Sequence, residues 1–313
     1  MQRILQRGEI EGLDHTTIPR WRQPVRPAVF SDRAARLQQL AAENGQLAGY
    51  LQLMAQVATV QNKLIADAQV PGPDAQQIDQ AQTHGMPPLH ATAHARHPLW
   101  LKLLKRLLDS LLEVPDIPPP AQQVMQGLLQ QLAHSPENVE AWADALLAER
   151  EDGVDAASAP FVMAALQVYW TALAADFDMA CLPVVTPHGV CPLCGSLPVA
   201  SIVHVGGSAE GCRYLCCSLC SAEWHLVRVT CSHCQSTEGI AYHSIEDGPE
   251  GIKAESCDTC HAYRKIFYQE KVLGVDAVAD DLASLMLDML MGEAGYTRAS
   301  GNPFLWHDTQ ASA

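Results

Sequence analysis

Cysteine pairs of the form Cys-x-x-Cys occur four times between residues 191 and 260, and they are the side chains of this sequence best suited to chemistry. A shift of 40 positions places the first two pairs on the last two, so the segment is an internal repeat. Each pair can present two thiolates from one tight turn, and two pairs complete a tetrahedral shell. The repeat therefore predicts two metal sites, with the ligands Cys191, Cys194, Cys217 and Cys220 in the first and Cys231, Cys234, Cys257 and Cys260 in the second.

Two other uses of such pairs fit the sequence less well. A thioredoxin-like dithiol needs a βαβ unit, whereas these pairs lie among short β-rich segments without a crossover helix. Disulfides are disfavoured because the 11 cysteines are an odd number and no secretory leader is readable. Zinc and iron both accept four thiolates, so the spacing leaves open whether the sites are zinc ribbons or rubredoxin-type iron sites.

The residues around the pairs give weaker signals. Only the first pair is followed by a glycine, Gly195, which lets a turn adopt a left-handed conformation; the other pairs continue with Ser221, Gln235 and His261. Nearby histidines either tune the sites or are ordinary polar surface, and these are His188, His204, His225 and His261.

Three cysteines lie outside the predicted shells. Cys216 precedes Cys217, so a register in which Cys216 replaces it stays open, although the repeat favours Cys217. Cys181 and Cys212 are expected to be small buried apolar side chains.

Composition and charge narrow the classes of partner. The net charge is −15, from 20 Lys and Arg against 35 Asp and Glu, which weighs against nucleic acid and favours a protein partner. Residues 1–30 contain scattered arginines but no apolar stretch and no adjacent arginine pair, so we expect a cytoplasmic protein. The most apolar segment, residues 159–175, is interrupted by Gln167 and Thr171 and predicts a buried core helix, without membrane insertion.

An all-α domain is predicted over residues 1–180. Its first 30 residues are expected to form an extended surface arm, after which Ser31 caps a helix that runs to about Ala68 with bends at glycines. A loop is expected over residues 70–97, in which His90 and His94 do not bind metal. Further helices are predicted over residues 99–112, 121–132, 139–148 and 156–179.

The cysteine pairs fall in a predicted β-rich segment, residues 181–273, in which each repeat unit is a knuckle, a hairpin and a second knuckle. Its strands are expected at residues 199–205, 213–215, 224–229, 240–245 and 263–268. Residues 274–313 are predicted to hold a helix over 280–291 and a surface tail, with an apolar stripe that packs on the rest of the protein, formed by Leu282, Leu285, Met286, Met289 and Leu290. The predicted class is α+β: an all-α N-terminal domain, tandem rubredoxin-like or zinc-ribbon-like β modules, and a C-terminal helix.

Together these motifs resemble the formate dehydrogenase accessory protein family, FdhE. The resemblance extends over nearly the whole chain, and its specific motifs are Cys191-Pro-Leu-Cys194-Gly195-Ser196 with Pro198-Val199, Gly211-Cys-Arg213-Tyr214-Leu215 before the second pair, Trp224, and Lys253-Ala254-Glu255 before the last pair. It implies a helical domain joined to a tandem rubredoxin-like module that binds two iron ions, one in each four-cysteine shell. It also implies a cytoplasmic accessory to respiratory formate dehydrogenase that acts on the catalytic subunit before export.

The function expected from the sequence is therefore a maturation factor rather than an enzyme. We find no nucleophile–base pair, phosphate loop or carboxylate pair that indicates catalysis. The expected partner is the catalytic subunit of formate dehydrogenase, and the two iron ions would serve structure or one-electron transfer. A rubredoxin-like electron carrier and a zinc-ribbon interaction scaffold are the alternatives, and a homodimer is left open.

Overall fold

The α+β class predicted from the sequence is confirmed. The computed structural model describes residues 18–150, 153–183 and 188–306. Helices in these ranges precede and follow a mixed sheet. The α-helices are α1 (Arg26–Glu43), α2 (Ala48–Asp67), α3 (Ala75–His84), α4 (Leu99–Leu112), α5 (Pro119–His134), α6 (Pro136–Leu147), α7 (Ala159–Asp176), α8 (Ala277–Ala283) and α9 (Leu285–Glu293).

Helix α7 is the centre of the helical part. It is apolar on all sides, and nearly every residue from Ala159 to Ala174 is buried, as expected for a helix surrounded by others. Helices α2, α4 and α6 pack against it. Its only strongly polar interior side chain, Gln167, is wholly buried and donates to the Ser218 carbonyl at 2.7 Å, so the core of the helical part reaches the second cysteine knuckle. No described helix is long and apolar enough to cross a bilayer.

The start of the helical part differs from the prediction. Instead of one bent helix from Ser31, the chain forms α1 from Arg26 and α2 from Ala48, with a break over residues 44–47. Ser31 lies inside α1, where its hydroxyl donates to the Pro27 carbonyl at 2.9 Å. Residues 1–17 of the predicted arm lie outside the described residues, and the rest of the arm is ordered as strand β1 (Trp21–Arg22) and the first turn of α1.

The predicted loop over residues 70–97 contains a helix, α3. Asp74 caps it, because its carboxylate accepts from the Gln77 N–H at 2.8 Å while the Gln77 side chain accepts from the Asp74 N–H at 2.9 Å. This reciprocal capping box starts a helix in a segment that its richness in Pro, Gln and His had predicted to be a loop.

A single sheet carries both repeat units. Its other strands are β2 (Pro198–Val203), β3 (Arg213–Cys217), β4 (Glu223–His225), β5 (Ile240–His243), β6 (Ile252–Cys257), β7 (Ala262–Tyr268) and β8 (Thr297–Arg298). The order is β1-β4-β3-β2-β7-β6-β5, with β8 beside one end of β7. Each unit is an antiparallel three-stranded ribbon, and the parallel pair β2–β7 joins them with Ser201 opposite Ile266. Strand β6 was not predicted, and the strand predicted over residues 224–229 ends at His225.

The C-terminal helix is two helices rather than one. Asp276 caps α8 by accepting from the Val278 and Ala279 N–H groups, and the chain bends at Ser284 before α9. The predicted apolar stripe is wrong in part, because Leu282 is buried whereas the side chains of Met286, Met289 and Leu290 face solvent. The tail is more than a surface segment, since the side chain of Phe304 is wholly buried. The domain boundaries at residues 180 and 273 stay predictions.

Candidate metal centres

The first cluster brings together Cys191, Cys194, Cys217 and Cys220, whose sulfur atoms lie within 4.8 Å of one another. The Cys191 and Cys220 sulfurs are 3.5 Å apart, and those of Cys194 and Cys217 are 3.4 Å apart. A tetrahedron with metal–sulfur bonds of about 2.3 Å has sulfur–sulfur edges of about 3.8 Å. The donor set and its spacing therefore fit a four-thiolate metal ion.

Both knuckles of the first cluster are held by the main chain. At the first, the Cys191 N–H donates to the Ser196 carbonyl at 2.9 Å and the Gly195 N–H donates to the Cys191 carbonyl at 2.8 Å. At the second, the N–H groups of Leu219 and Cys220 each lie 3.4 Å from the Cys217 sulfur. Such donors stabilise a thiolate and orient it toward the metal.

The helical part covers the first cluster. The segment after α3 lies along the first knuckle, where the Leu89 N–H donates to the Leu193 carbonyl and the Ala91 N–H donates to the Cys194 carbonyl, each at 2.8 Å. Trp170 of α7 fixes the same segment by donating to the Leu89 carbonyl at 3.0 Å. All four cysteines of this cluster are consequently buried.

The second cluster has the same shape in a more open setting. The sulfurs of Cys231 and Cys260 are 3.8 Å apart, and those of Cys234 and Cys257 are 3.7 Å apart. Cys231 and Cys257 are buried, whereas Cys234 is exposed and Cys260 is partly exposed. The two clusters therefore offer the same ligands but differ in their contact with solvent.

All four knuckles use the left-handed turn, although only one has glycine. The residue after each pair has a positive φ: 75° at Gly195, 57° at Ser221, 67° at Gln235 and 53° at His261. For a residue with a Cβ this conformation costs about 1–2 kcal/mol. The geometry of the cysteine turn thus overrides the local preference of three side chains. Glycine is required most strictly at the first knuckle, where a Cβ would lie 3.2 Å from the His90 ring.

The four thiols of a cluster can all ionise only if a cation compensates their negative charges. Burial raises the pKa of the Cys191 and Cys220 thiols well above the usual value, and neighbouring sulfurs add to the effect. At the second cluster burial opposes ionisation of Cys257, but the N–H groups of Cys260 and Thr259 and the sulfurs of the other cysteines lower its pKa to about 7. Four sulfurs at this spacing repel one another as thiolates, and a bound metal removes that penalty.

A buried arginine lies beside the second cluster. Arg264 of β7 donates to the Ser232 hydroxyl at 2.8 Å, next to Cys231, and also bonds the Pro198 carbonyl and the Ser300 hydroxyl. Burial, together with the charges of Arg213 and Arg298, lowers the pKa of Arg264 to about 9. Four thiolates around a divalent or trivalent ion would leave a negative charge, which this guanidinium would stabilise.

Cys216 lies outside both clusters, so the register that uses Cys217 is the one whose sulfur joins the group. The Cys216 sulfur is 3.8 Å from the Glu223 carboxylate. The other oxygen of that carboxylate is 2.9 Å from His204 Nε2. Burial and the Glu223 charge raise the pKa of Cys216 well above the usual thiol value. The Glu223 carboxylate lies between the Cys216 thiol and the His204 imidazole. His204 therefore cannot accept the thiol proton in the way that the base histidine of a cysteine hydrolase does.

The remaining candidates are not gathered around the clusters. Cys181 and Cys212 are partly exposed, so the prediction that both are buried is wrong. Of the flanking histidines, His188 has Nε2 3.2 Å from the Cys231 carbonyl oxygen, and the His261 N–H donates to the Cys257 carbonyl at 2.8 Å. Within the described ranges, no third group of three or more His, Cys, Asp or Glu side chains lies close enough to hold a metal, and His90 and His94 are in neither group.

These features define an α+β protein in which a helical part caps a sheet built from two four-cysteine ribbons. Family models match three consecutive stretches: "FdhE, N-terminal" over residues 18–186, "FdhE, central domain" over 190–228 and "FdhE, C-terminal domain" over 229–305. The chain belongs to the FdhE family.

Relatives and a solved structure agree with this assignment. The chain is 43% identical over 279 residues to the FdhE homolog of Edwardsiella ictaluri, covering 89% of this chain and 88% of that protein. It is 40% identical over 308 residues to FdhE of Escherichia coli, covering 97% of each. The crystal structure of the FdhE protein from Pseudomonas aeruginosa superimposes with a TM-score of 0.82 at 36% identity, over 92% of this chain and 99% of that one.

Proposed function

We propose that this chain is a cytoplasmic accessory factor for respiratory formate dehydrogenase, and that it binds the catalytic subunit of that enzyme. We further propose that each four-cysteine cluster holds one iron ion, with Cys191, Cys194, Cys217 and Cys220 as ligands of the first and Cys231, Cys234, Cys257 and Cys260 as ligands of the second. The observation that carries the proposal is the pair of complete four-thiol clusters within an FdhE fold.

A four-cysteine shell limits the chemistry of the metal. Four thiolates fill a tetrahedral ion, so no position remains for a substrate, and the group supplies either structural support or one-electron transfer. The nearby Cys216 is buried beside the Glu223 carboxylate, and both raise its pKa, which disfavours the nucleophilic thiolate. These two features support a factor that binds its client rather than one that catalyses a reaction.

The two clusters suit different tasks. The first is buried under the segment that carries Leu89 and Ala91, so its metal would hold the helical part on the sheet. The second exposes Cys234, so its metal lies close to the surface, where an electron could pass to or from a bound protein. This exposure also favours the second candidate function, a rubredoxin-like electron carrier.

Metal analysis tests the choice of metal. Protein purified without added metal should contain close to two irons per chain and show thiolate-to-iron charge-transfer bands in the visible spectrum. Two zinc ions and a colourless protein would contradict the iron assignment and favour a zinc-ribbon scaffold. A reversible iron couple without any client would favour the electron carrier.

Copurification tests the client. The catalytic subunit of formate dehydrogenase, coexpressed with the tagged full chain, should be retained at physiological salt, and an unrelated cytoplasmic oxidoreductase should not. If the subunit is absent from the eluate while the metal content is normal, the proposed accessory function is wrong.

A further inference from the structure

Strand β5 (Ile240–His243) forms one end of the sheet and has an open side. Its partner β6 pairs Ile240 with Cys257 and Tyr242 with Glu255, and the Asp258 N–H donates to the Gly239 carbonyl at 2.9 Å. Because hydrogen-bonded and non-hydrogen-bonded pairs alternate in an antiparallel ladder, the main-chain groups of Ile240 and Tyr242 point away from β6. No strand within the described ranges covers them.

The corresponding side of the first ribbon does accept a strand. Strand β2 is the repeat counterpart of β5, and its outer side binds β7 in parallel, with the Gln269 N–H donating to the Val203 carbonyl at 3.0 Å. Even the opposite end of the sheet takes an added segment, because β1 pairs with β4. This sheet is thus extended by adding strands. The outer edge of β2 is occupied by β7, whereas the equivalent edge of β5 has no strand beside it within the described ranges.

The open edge is flanked by negative charge. Glu238 precedes β5, and Glu246, Asp247 and Glu250 follow it in the turn to β6, all of them exposed. Lys271 lies 3.3 Å from Glu250, and both side chains of that pair reach solvent. At its outward positions the strand carries Ile240 and Tyr242, with neither the lysine nor the proline that commonly protects an edge.

A second copy of this chain is a poor occupant. It could not offer β7, because β2 and β8 already cover the outer side of that strand. Pairing β5 with β5 of another copy would place the two acidic turns against each other's ends, where like charges repel. An extended segment that carries lysine or arginine can pair with the open main-chain groups of β5. Its positive charges can also interact with the acidic side chains that flank the strand.

We infer that the β5 edge binds an extended, basic segment of the client polypeptide as an added strand. Naming the client as the source rests on the proposed function; the edge and its preference for a basic strand do not. The main-chain groups of Ile240 and Tyr242 supply hydrogen bonds, and Glu238 and Glu246 select positive charge at the two ends.

Hydrogen exchange of the full metal-loaded chain tests the edge without the client. The probe is a synthetic peptide of alternating lysine and valine, and its glutamate–valine counterpart is the control. The lysine peptide should slow exchange of the Ile240 and Tyr242 amides at least about tenfold, since each N–H gains a hydrogen bond on binding. The glutamate peptide should leave both amides unchanged.

Two pairs of variants separate the main chain from the charge. Tyr242→Pro removes an outward N–H that the β5–β6 ladder does not use, whereas Tyr242→Val keeps it and loses the same hydroxyl, so only the proline variant should lose peptide binding. Glu238→Lys with Glu246→Lys should weaken binding at least about tenfold at low salt, whereas Asp79→Lys with Glu113→Lys, an equal charge change on the helical part, should not. Metal content and the unfolding midpoint verify folding.

The outcomes distinguish this inference from the proposed function. If wild type and Tyr242→Pro retain the catalytic subunit equally, the inference that the β5 edge binds the client is wrong, and the accessory role still stands. Loss of subunit binding in wild type, with peptide protection present, would overturn the accessory role alone. Slow exchange of Ile240 and Tyr242 in the protein by itself, or protection that grows with protein concentration, would overturn the inference because the chain or its copy would already cover the edge.

Discussion

At the scale of single residues, the cysteine turns could be predicted because their chemistry is local. A Cys-x-x-Cys pair needs only its own turn to present two sulfurs, so the repeat favoured Cys217 over Cys216, and the structure places the Cys217 sulfur in the first cluster. The left-handed residues after the pairs could not be predicted, because Ser221, Gln235 and His261 have no intrinsic preference for positive φ. The sequence also gives no sign that Cys234 is exposed while its counterpart Cys194 is buried.

The strained turns give a test by substitution. Gln235→Gly should raise the free energy of unfolding of the metal-loaded protein by about 1 kcal/mol, since glycine adopts the φ of 67° without a Cβ clash. Gly195→Ala should lower it, since the new Cβ meets the His90 ring at 3.2 Å. Urea unfolding at fixed metal measures both changes; an unchanged midpoint for Gln235→Gly would show that the turn carries no strain.

At the scale of elements, the helices over residues 99–112 and 136–147 follow their apolar period, and the sequence placed them within a few residues. The features that the sequence did not predict depend on contacts between residues far apart in the chain. Helix α1 begins at Arg26 with Pro27 in its first turn, and its Arg33 and Arg36 pair with Asp276 and Asp280 of the distant C-terminal part, at 3.2 and 2.6 Å. The pairing of β1 with β4 and of β2 with β7 likewise depends on partners far along the chain, which no local pattern specifies.

A buried ion network fixes α8 to the sheet and predicts a large effect of one substitution. Asp281 is wholly buried and pairs with Arg298 at 2.5 Å and Lys265 at 3.4 Å. Asp281→Asn should lower the free energy of unfolding by about 1.5–3 kcal/mol, because Lys265 and the partly buried Arg298 each lose one of their two carboxylate partners and keep only Asp288. Asp109→Asn, which breaks an exposed pair with Lys105, should change it by less than about 1 kcal/mol.

The pH dependence of that network has a definite sign. Burial would raise the pKa of Asp281, but Lys265 and Arg298 lower it below the usual carboxyl value. Its contribution is therefore complete above the unfolded pKa and is lost as the pH falls through the lower folded pKa. Unfolding measured from neutral to acidic pH should show a shallower loss of stability in Asp281→Asn than in wild type, and parallel curves would contradict this assignment.

At the scale of the whole molecule, the first ribbon and the helical part form one core, to which the second ribbon contributes mainly Phe267 of β7. The large apolar cluster includes α2, α4, α7 and the cysteines of the first cluster, but none of the cysteines of the second. The fold class and the grouping of the eight cysteines were within reach of the sequence because they rest on composition and spacing. The unequal cover of the two clusters was not, since it follows from how the helices pack.

This division predicts unequal effects of matched cysteine variants. Cys194→Ser should empty the first site, leave the second largely occupied and lower the stability of the helical part by more than about 3 kcal/mol. Cys234→Ser should empty only the second site and leave the helical unfolding transition in place. Metal per chain and circular dichroism measure both, and loss of both metals from either variant would show that the sites fold as one unit.

The parallel pairing of β2 with β7 also sets an order in which the chain can be completed. Strand β2 is synthesised well before β7, and between them lie the second knuckle of the first ribbon and both knuckles of the second. The edge of β2 that binds β7 therefore stays without that partner on the ribosome until residue 268 has emerged. Arg264 gains its Ser300 partner later still. A chain with this contact order closes late, so the first ribbon can meet its metal while the sheet is still half built.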